Sequence, residues 1–329
     1  MSAEPPLSVL HGCPYLLVDL GAPAPRPASE CEALAAWLER QACPVLGLAR
    51  EGVAHPLACA CDAIATDAED AAALISNIEA APLTALVLVQ LLRITTKLPI
   101  GQALLAESLA YATLQAGSEF RRWLAQAAKP SSPPPEDGQA PVLLERHGAH
   151  LALQLNRPAR RNALSVAMRD ALAEALELVI ADASITDVTI SGAGPCFSAG
   201  GDLAEFGTAP DTATAHAVRS TRSVPSLLGR CAERLTFRVH GAAVGAGAEM
   251  AAFGARIEAT GDAYFQLPEI RYGLIPGSGG CVSLPRRIGR QRTAYLALSA
   301  RRLEARTALS WGLVDALTDA LRPTMTARA

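Results

Sequence analysis

Two neighbouring stretches decide the fold: F-R-V-H-G-A-A-V-G-A-G-A-E-M-A-A-F-G at residues 237–254 and A-Y-F-Q-L-P-E-I-R-Y-G-L-I-P-G-S-G-G at residues 263–280. A short apolar strand, Phe237 to Val239, runs into a glycine–alanine turn. That turn opens an apolar helix carrying a single acid, Glu249. A second strand and turn present another acid, Glu269, directly after Pro268. Burying an unpaired charge costs several kcal/mol, so carboxylates in such surroundings are paired, protonated or functional. The small residues before Glu249 also leave backbone N–H groups open at a helix start, where they can hold an anion.

Working outward, composition narrows the class. The chain has 329 residues, 50% hydrophobic and 19% charged, enough for one large or two modest domains. A net charge of -3 and the absence of any Lys/Arg block argue against nucleic acid as a partner. Aromatics at 4% supply no base-stacking surface. The N-terminus has no basic region followed by a long apolar run, and the apolar stretch at Leu83–Leu92 is too short to span a bilayer. The expectation is a cytoplasmic protein without a membrane partner. The eight cysteines are scattered in apolar contexts. Cys59 and Cys61 lack a matching second pair, so no metal site is expected.

Upstream of the core, Tyr15–Asp19 and Cys43–Ala49 read as strands around a helix at Glu32–Arg40, material too short for a complete doubly wound domain. From Asp67 to Gln126 the pattern is helical. Pro82 opens a second helix, Pro99 separates a third, Gly117 ends it, and Glu119–Leu124 is a final short piece. Residues 127–140, A-A-K-P-S-S-P-P-P-E-D-G-Q-A, have linker composition and can cross on the order of 40 Å when extended. The expected division is therefore 1–126, a linker at 127–140, and 141–329. In the last unit, Val142–Glu145 and His150–Leu155 read as a hairpin, and Ser165 caps a helix running to about Ile180. Val188–Ser191 reads as a strand, Gly207–Ser223 as mobile or loosely helical, and Arg286–Ala300 and Leu303–Trp311 as helices.

From about Val142 to Leu317 the chain resembles the enoyl-CoA hydratase/isomerase, or crotonase, family. The resemblance rests on ordered motifs: L-N-R-P-A-R-R-N-A-L at 155–164, F-S-A-G-G-D-L at 197–203, G-A-A-V-G-A-G-A-E at 241–249, F-Q-L-P-E at 265–269, G-L-I-P-G-S-G-G at 273–280 and W-G-L-V-D at 311–315. It implies an α/β fold of the crotonase-like ββα spiral type, with an additional N-terminal α/β and helical region. It also implies acyl-CoA thioester substrates, coenzyme A entering only as part of the substrate, no separate cofactor, and a homo-trimer or dimer of trimers.

By motif match, the oxyanion-hole amides are those of Gly201 and Ala246, the latter at a place where the family commonly has glycine. The paired acids of the family's hydratases match Glu249 and Glu269. Hydrating a 2-enoyl thioester needs a base near the water and an acid for the α carbon. The resemblance implies Glu269 at the α proton, Glu249 at the water and Gly277 as a backbone group holding that water. Coenzyme A would lie along Ser198, Ala199 and Gly200, with Arg160 and Arg161 toward its phosphates. The alternatives are an isomerase, a thioesterase, dehalogenase or decarboxylase relative, and a non-catalytic acyl-CoA-binding scaffold.

One departure matters. Family members continue past W-G-L-V-D with further helices that cover the acyl pocket, whereas only Ala316–Ala329 remain here. Residues 67–93, 101–113 and 117–124 are instead similar to that missing tail. The N-terminal unit thus reads as degenerate or relocated crotonase material whose helices, about 67–126, cover the site in cis.

Overall fold

The computed structural model describes residues 7–24, 27–49, 54–127 and 138–319. Most of the 127–140 stretch lies outside them. Three parallel strands, β1 (Leu16–Asp19), β2 (Val45–Leu48) and β3 (Ala63–Ala65), form a small sheet in that order, with α1 (Ala28–Glu39) between the first two. Four helices follow: α2 (Ala68–Ala80), α3 (Pro82–Thr95), α4 (Ile100–Gln115) and α5 (Ser118–Gln126). Their starts follow local chemistry. The Asp67 side chain accepts from Asp70 N at 2.8 Å and caps α2. Pro82 occupies the first turn of α3, where no amide is needed. The remaining open amides of α3, on Leu83 and Thr84, donate at 2.9 Å to the carboxylate of Glu119 from α5.

The second half builds two sheets by repetition. β4 (Val142–His147) and β5 (His150–Leu155) pair antiparallel across the expected turn; α6 (Val166–Ala181), capped by Ser165, then leads to β6 (Asp187–Gly192). After α7 (Thr212–Thr221) and α8 (Val224–Cys231) come β7 (Leu235–Val239), β8 (Ala242–Val244) and α9 (Ala246–Ala251). Next are β9 (Arg256–Thr260), β10 (Tyr264–Gln266), α10 (Gly280–Ile288) and α11 (Arg290–Ser299), then β11 (Arg302–Glu304), α12 (Ala305–Trp311) and β12 (Ala316–Thr318). Strands β12-β9-β7-β6-β5-β4 make one six-stranded sheet and β11-β10-β8 a second. The units β7-β8-α9 and β9-β10-α10 each give one strand to either sheet before their helix, which is the ββα spiral.

Three local expectations are corrected. Residues 207–223 are not loose: α7 is a regular helix because Asp211 caps it through Thr214 N at 2.8 Å and Arg219 anchors it to α4. The helix expected over 286–300 is two helices broken at Gly289, whose φ of 83° suits glycine. Residues 303–311 open as an edge strand, β11, and only then turn helical.

The N-terminal helices share one hydrophobic core with the spiral: Leu74, Ile78, Leu88 and Leu92 pack in the same cluster as Leu284 and Leu298. A smaller cluster lies beneath α1. Between the halves sits Asp62, fully buried, which accepts from Arg93 and Arg290 at 2.5–2.9 Å and from Val45 N at 2.9 Å. Such a joint stabilises only because its members are mutually paired. Among the described residues no single helix is long and apolar enough to cross a membrane; α2 and α3 together reach the length but are bent by 110°.

Candidate active site

The glycine-rich turn after β8 ends at Gly245, where φ is 49° and the chain swings into α9. A Cβ there would meet Glu269 Oε1 at 2.5 Å, so glycine is what lets that acid approach the helix start. Glu249 lies one turn into α9, 2% exposed, and Glu269 begins a 3-10 turn after β10, 8% exposed. Both line one cavity of about 420 Å³, together with Gly201, Ala246 and Gly277. Among the described residues no hydrogen bond takes up the backbone N–H of Gly201 or Ala246. Two open amides and two acids therefore face one space, which is what stabilising a developing oxyanion beside proton transfer requires.

The two acids differ in environment. Glu249 Oε2 accepts from Ser278 N at 2.7 Å and Gly280 N at 2.8 Å, both at the N-terminus of α10. Burial raises its pKa to about 7, and the two amides oppose that rise. Glu269 Oε2 is buried with no hydrogen-bond partner, and burial followed by the charge of Glu249 pushes its pKa well above the usual range. Like charges in one buried site cannot both ionise cheaply. The arrangement favours a charged Glu249 and a protonated Glu269, a base and an acid side by side.

The five residues expected at coenzyme A lie behind the cavity wall rather than in it, with Ser198 and Gly200 buried. Ala199 N donates to Arg161 O at 2.9 Å and Leu164 N to Gly200 O at 2.8 Å, so the 157–164 turn and the 198–201 segment form a single unit. Leu164 and Gly201 line the cavity; Arg160, Arg161, Ser198, Ala199 and Gly200 do not. Ser198 is buried, its N–H donating to Ala242 O, its carbonyl accepting from Val244 N and its hydroxyl donating to Asn162 O. The side-chain amide of Asn162 ties down the carbonyls of Ala193, Cys196 and Phe197, which accounts structurally for the asparagine of the 155–164 motif.

Three further cavity residues are not distinguished by any sequence pattern. Glu107 and Tyr111 come from α4 and Arg219 from α7. Glu107 is 2% exposed and accepts from Gly279 N at 2.7 Å and Cys281 N at 2.8 Å. Tyr111 lies against Gly277, so that a Cβ at that glycine would overlap its ring. The Arg219 guanidinium stacks 4.7 Å from the Tyr111 ring centroid and donates to Ser108 Oγ, Ser108 O and Gln115 Oε1. Their sequence signal is slight, since a polar residue on a helix ordinarily faces water. Among the described residues no cluster of His, Cys, Asp and Glu has metal-binding geometry.

A profile of the enoyl-CoA hydratase/isomerase family matches residues 145–322. The 2,3-dehydroadipyl-CoA hydratase of Escherichia coli is 36% identical over 177 residues, covering 53% of this chain and 68% of that protein. The 1,2-epoxyphenylacetyl-CoA isomerase of the same organism is 36% identical over 174 residues, covering 51% and 66%. The crystal structure of enoyl-CoA hydratase from Thermoplasma volcanium superposes with a TM-score of 0.51 at 31% identity, over 55% of this chain and 73% of that one. The curated matches thus take in about two thirds of each relative's own length. On its motifs, its spiral and these matches, the chain belongs to the enoyl-CoA hydratase/isomerase family.

Proposed function

We propose that the protein is an enzyme that adds water across the double bond of a 2-enoyl-CoA thioester. The observation that carries this reading is the convergence of Glu249, Glu269 and the open amides of Gly201 and Ala246 on one cavity. The thioester oxygen accepts from those two amides. Water, oriented by Glu249 and the backbone at Gly277, gives a proton to Glu249 as its oxygen bonds to the β carbon. The π electrons move toward the thioester, and Glu269 delivers its proton to the α carbon. One water is consumed and one 3-hydroxyacyl-CoA formed, after which a proton passes from Glu249 to Glu269 to restore the resting state. The presence of both acids supports this choice over isomerisation, which needs only one; the relatives include a hydratase and an isomerase at the same 36% identity.

Coenzyme A is read as lying against the backbone of Ser198, Ala199 and Gly200, with Arg160 and Arg161 toward its phosphates. Residues 1–126 are read as a degenerate crotonase-like segment whose helices cover the site in cis. Residues 127–140 then serve as the linker and 141–329 as the catalytic core. Support comes from Glu107 and Tyr111 of α4 lining the cavity. A homo-trimer or dimer of trimers in the cytoplasm completes the proposal.

The test is 3-hydroxyacyl-CoA formation from a panel of 2-enoyl-CoAs by the wild type, Glu249→Gln and Glu269→Gln. Loss of roughly 100-fold or more in kcat for each variant is expected. Undiminished turnover in both variants rejects the mechanism, and acyl-CoA binding without turnover by the wild type points to the scaffold alternative.

A further inference from the structure

Four consecutive amides at the N-terminus of α10 alternate between two carboxylates. Those of Ser278 and Gly280 go to Glu249, and those of Gly279 and Cys281 go to Glu107. The two acids arrive from opposite ends of the chain, on α9 and on α4. Glu107 uses both oxygens, Oε1 for Gly279 and Oε2 for Cys281, so the turn is pinned at two points. Glu249 uses only Oε2 for its pair. The turn cannot rotate its amides away from Glu249 without breaking its bonds to Glu107.

We propose that Glu107 is a positioning residue for Glu249: it clamps the 278–281 turn so that alternate amides reach the Glu249 carboxylate. The catalytic consequence rests on the hydratase reading; the effect on the Glu249 carboxyl does not. Burial, followed by the charge of Glu249, pushes the Glu107 pKa well above the usual carboxylate range, and its two amides only oppose that rise. The titratable and charged groups around the pair are Glu269 at the 3-10 turn, Tyr111 on α4, Cys281 on α10 and Arg219 on α7, with His216 of α7 reaching Ser108. Arg219 is the one cation of that set that bears on Glu107. The amides of Ser278 and Gly280 favour the ionised form of Glu249, so loosening the turn that presents them raises the pH at which Glu249 loses its proton.

The experiment is a carbon-13 NMR titration of glutamate carboxyls in the wild type, Glu107→Gln and Glu107→Asp, with the Glu249 signal assigned by its loss in Glu249→Gln. The acid limb of kcat/KM is followed alongside. Glu107→Gln keeps one accepting oxygen where Glu107 uses two, so the Glu249 midpoint, and the acid limb with it, moves up by roughly one pH unit. Glu107→Asp keeps the carboxyl but not the reach, so kcat falls and the midpoint again moves up. A Glu249 midpoint that stays put or falls in either variant overturns the proposal. Should Glu107→Gln fail to fold, the aspartate variant still decides. A wild type without turnover counts against the hydratase reading alone, because the NMR titration needs no substrate.

Discussion

Replacing Glu249 by glutamine changes how stability depends on pH, and the size of the change follows from the burial of that one carboxyl. In the folded protein its pKa stands near 7 against an ordinary 4.5. An acid whose folded pKa is raised binds its proton more tightly folded than unfolded. It therefore adds stability below the unfolded pKa and loses that contribution as pH rises through the folded one. The full difference corresponds to about 3.4 kcal/mol, of which about 2.5 kcal/mol disappears between pH 5 and pH 8. Glutamine suits the site sterically, because a single oxygen of Glu249 accepts both Ser278 N and Gly280 N. The assay is urea unfolding of the wild type and Glu249→Gln at pH 5 and pH 8, read as a difference of differences. The wild type should lose about 2.5 kcal/mol more than the variant over that interval. Glu269 has the same sign, its pKa being raised by burial and by the charge of Glu249, so Glu269→Gln should also flatten the profile. If the stability of Glu249→Gln falls with pH in parallel with the wild type, Glu249 does not carry a raised pKa and the assignment of base and acid fails.

Other perturbations bear on the same architecture. Gly277→Ala drives a methyl group into the Tyr111 ring and should cost roughly 100-fold in kcat/KM. Adding Tyr111→Ala should recover part of it, and a purely additive double mutant would show that the contact is unimportant. Gly245→Ala places a methyl in a left-handed backbone site against Glu269 Oε1. It should destabilise by roughly 1–3 kcal/mol and abolish exchange of the α proton with solvent, measured by deuterium incorporation. Asp62→Ala strips the partner from Arg93 and Arg290 and should cost about 3–5 kcal/mol in chemical denaturation. A loss below about 1 kcal/mol would mean that the two halves are not held together by that joint.

Local chemistry made much of the fold legible. The acids at 249 and 269 stand out because their neighbours are small and apolar, and the glycine-rich turns mark where a backbone must expose amides. Asp67, Ser165 and Pro82 mark helix starts because capping is a matter of a few adjacent residues. Where elements are short, the same reasoning failed. The three-residue strands β8 and β11 have too few residues to display a period, and α7 looked loose because the α4 residues that hold its Arg219, Ser108 and Gln115, lie more than one hundred positions away in sequence.

What the sequence by itself determined is the spiral and its order of turns, through family motifs whose residues lie close together along the chain, and it pointed to two acids and two amides that line one cavity. What only the tertiary structure decided is the company they keep. The partners of Glu107 lie 172 and 174 positions away, and no helical pattern distinguishes it from a solvated glutamate. Its burial, its share of the α10 amides and its bearing on Glu249 exist only because α4 packs over the cavity. Proximity across such separations is set by packing of the whole core, not by any local preference.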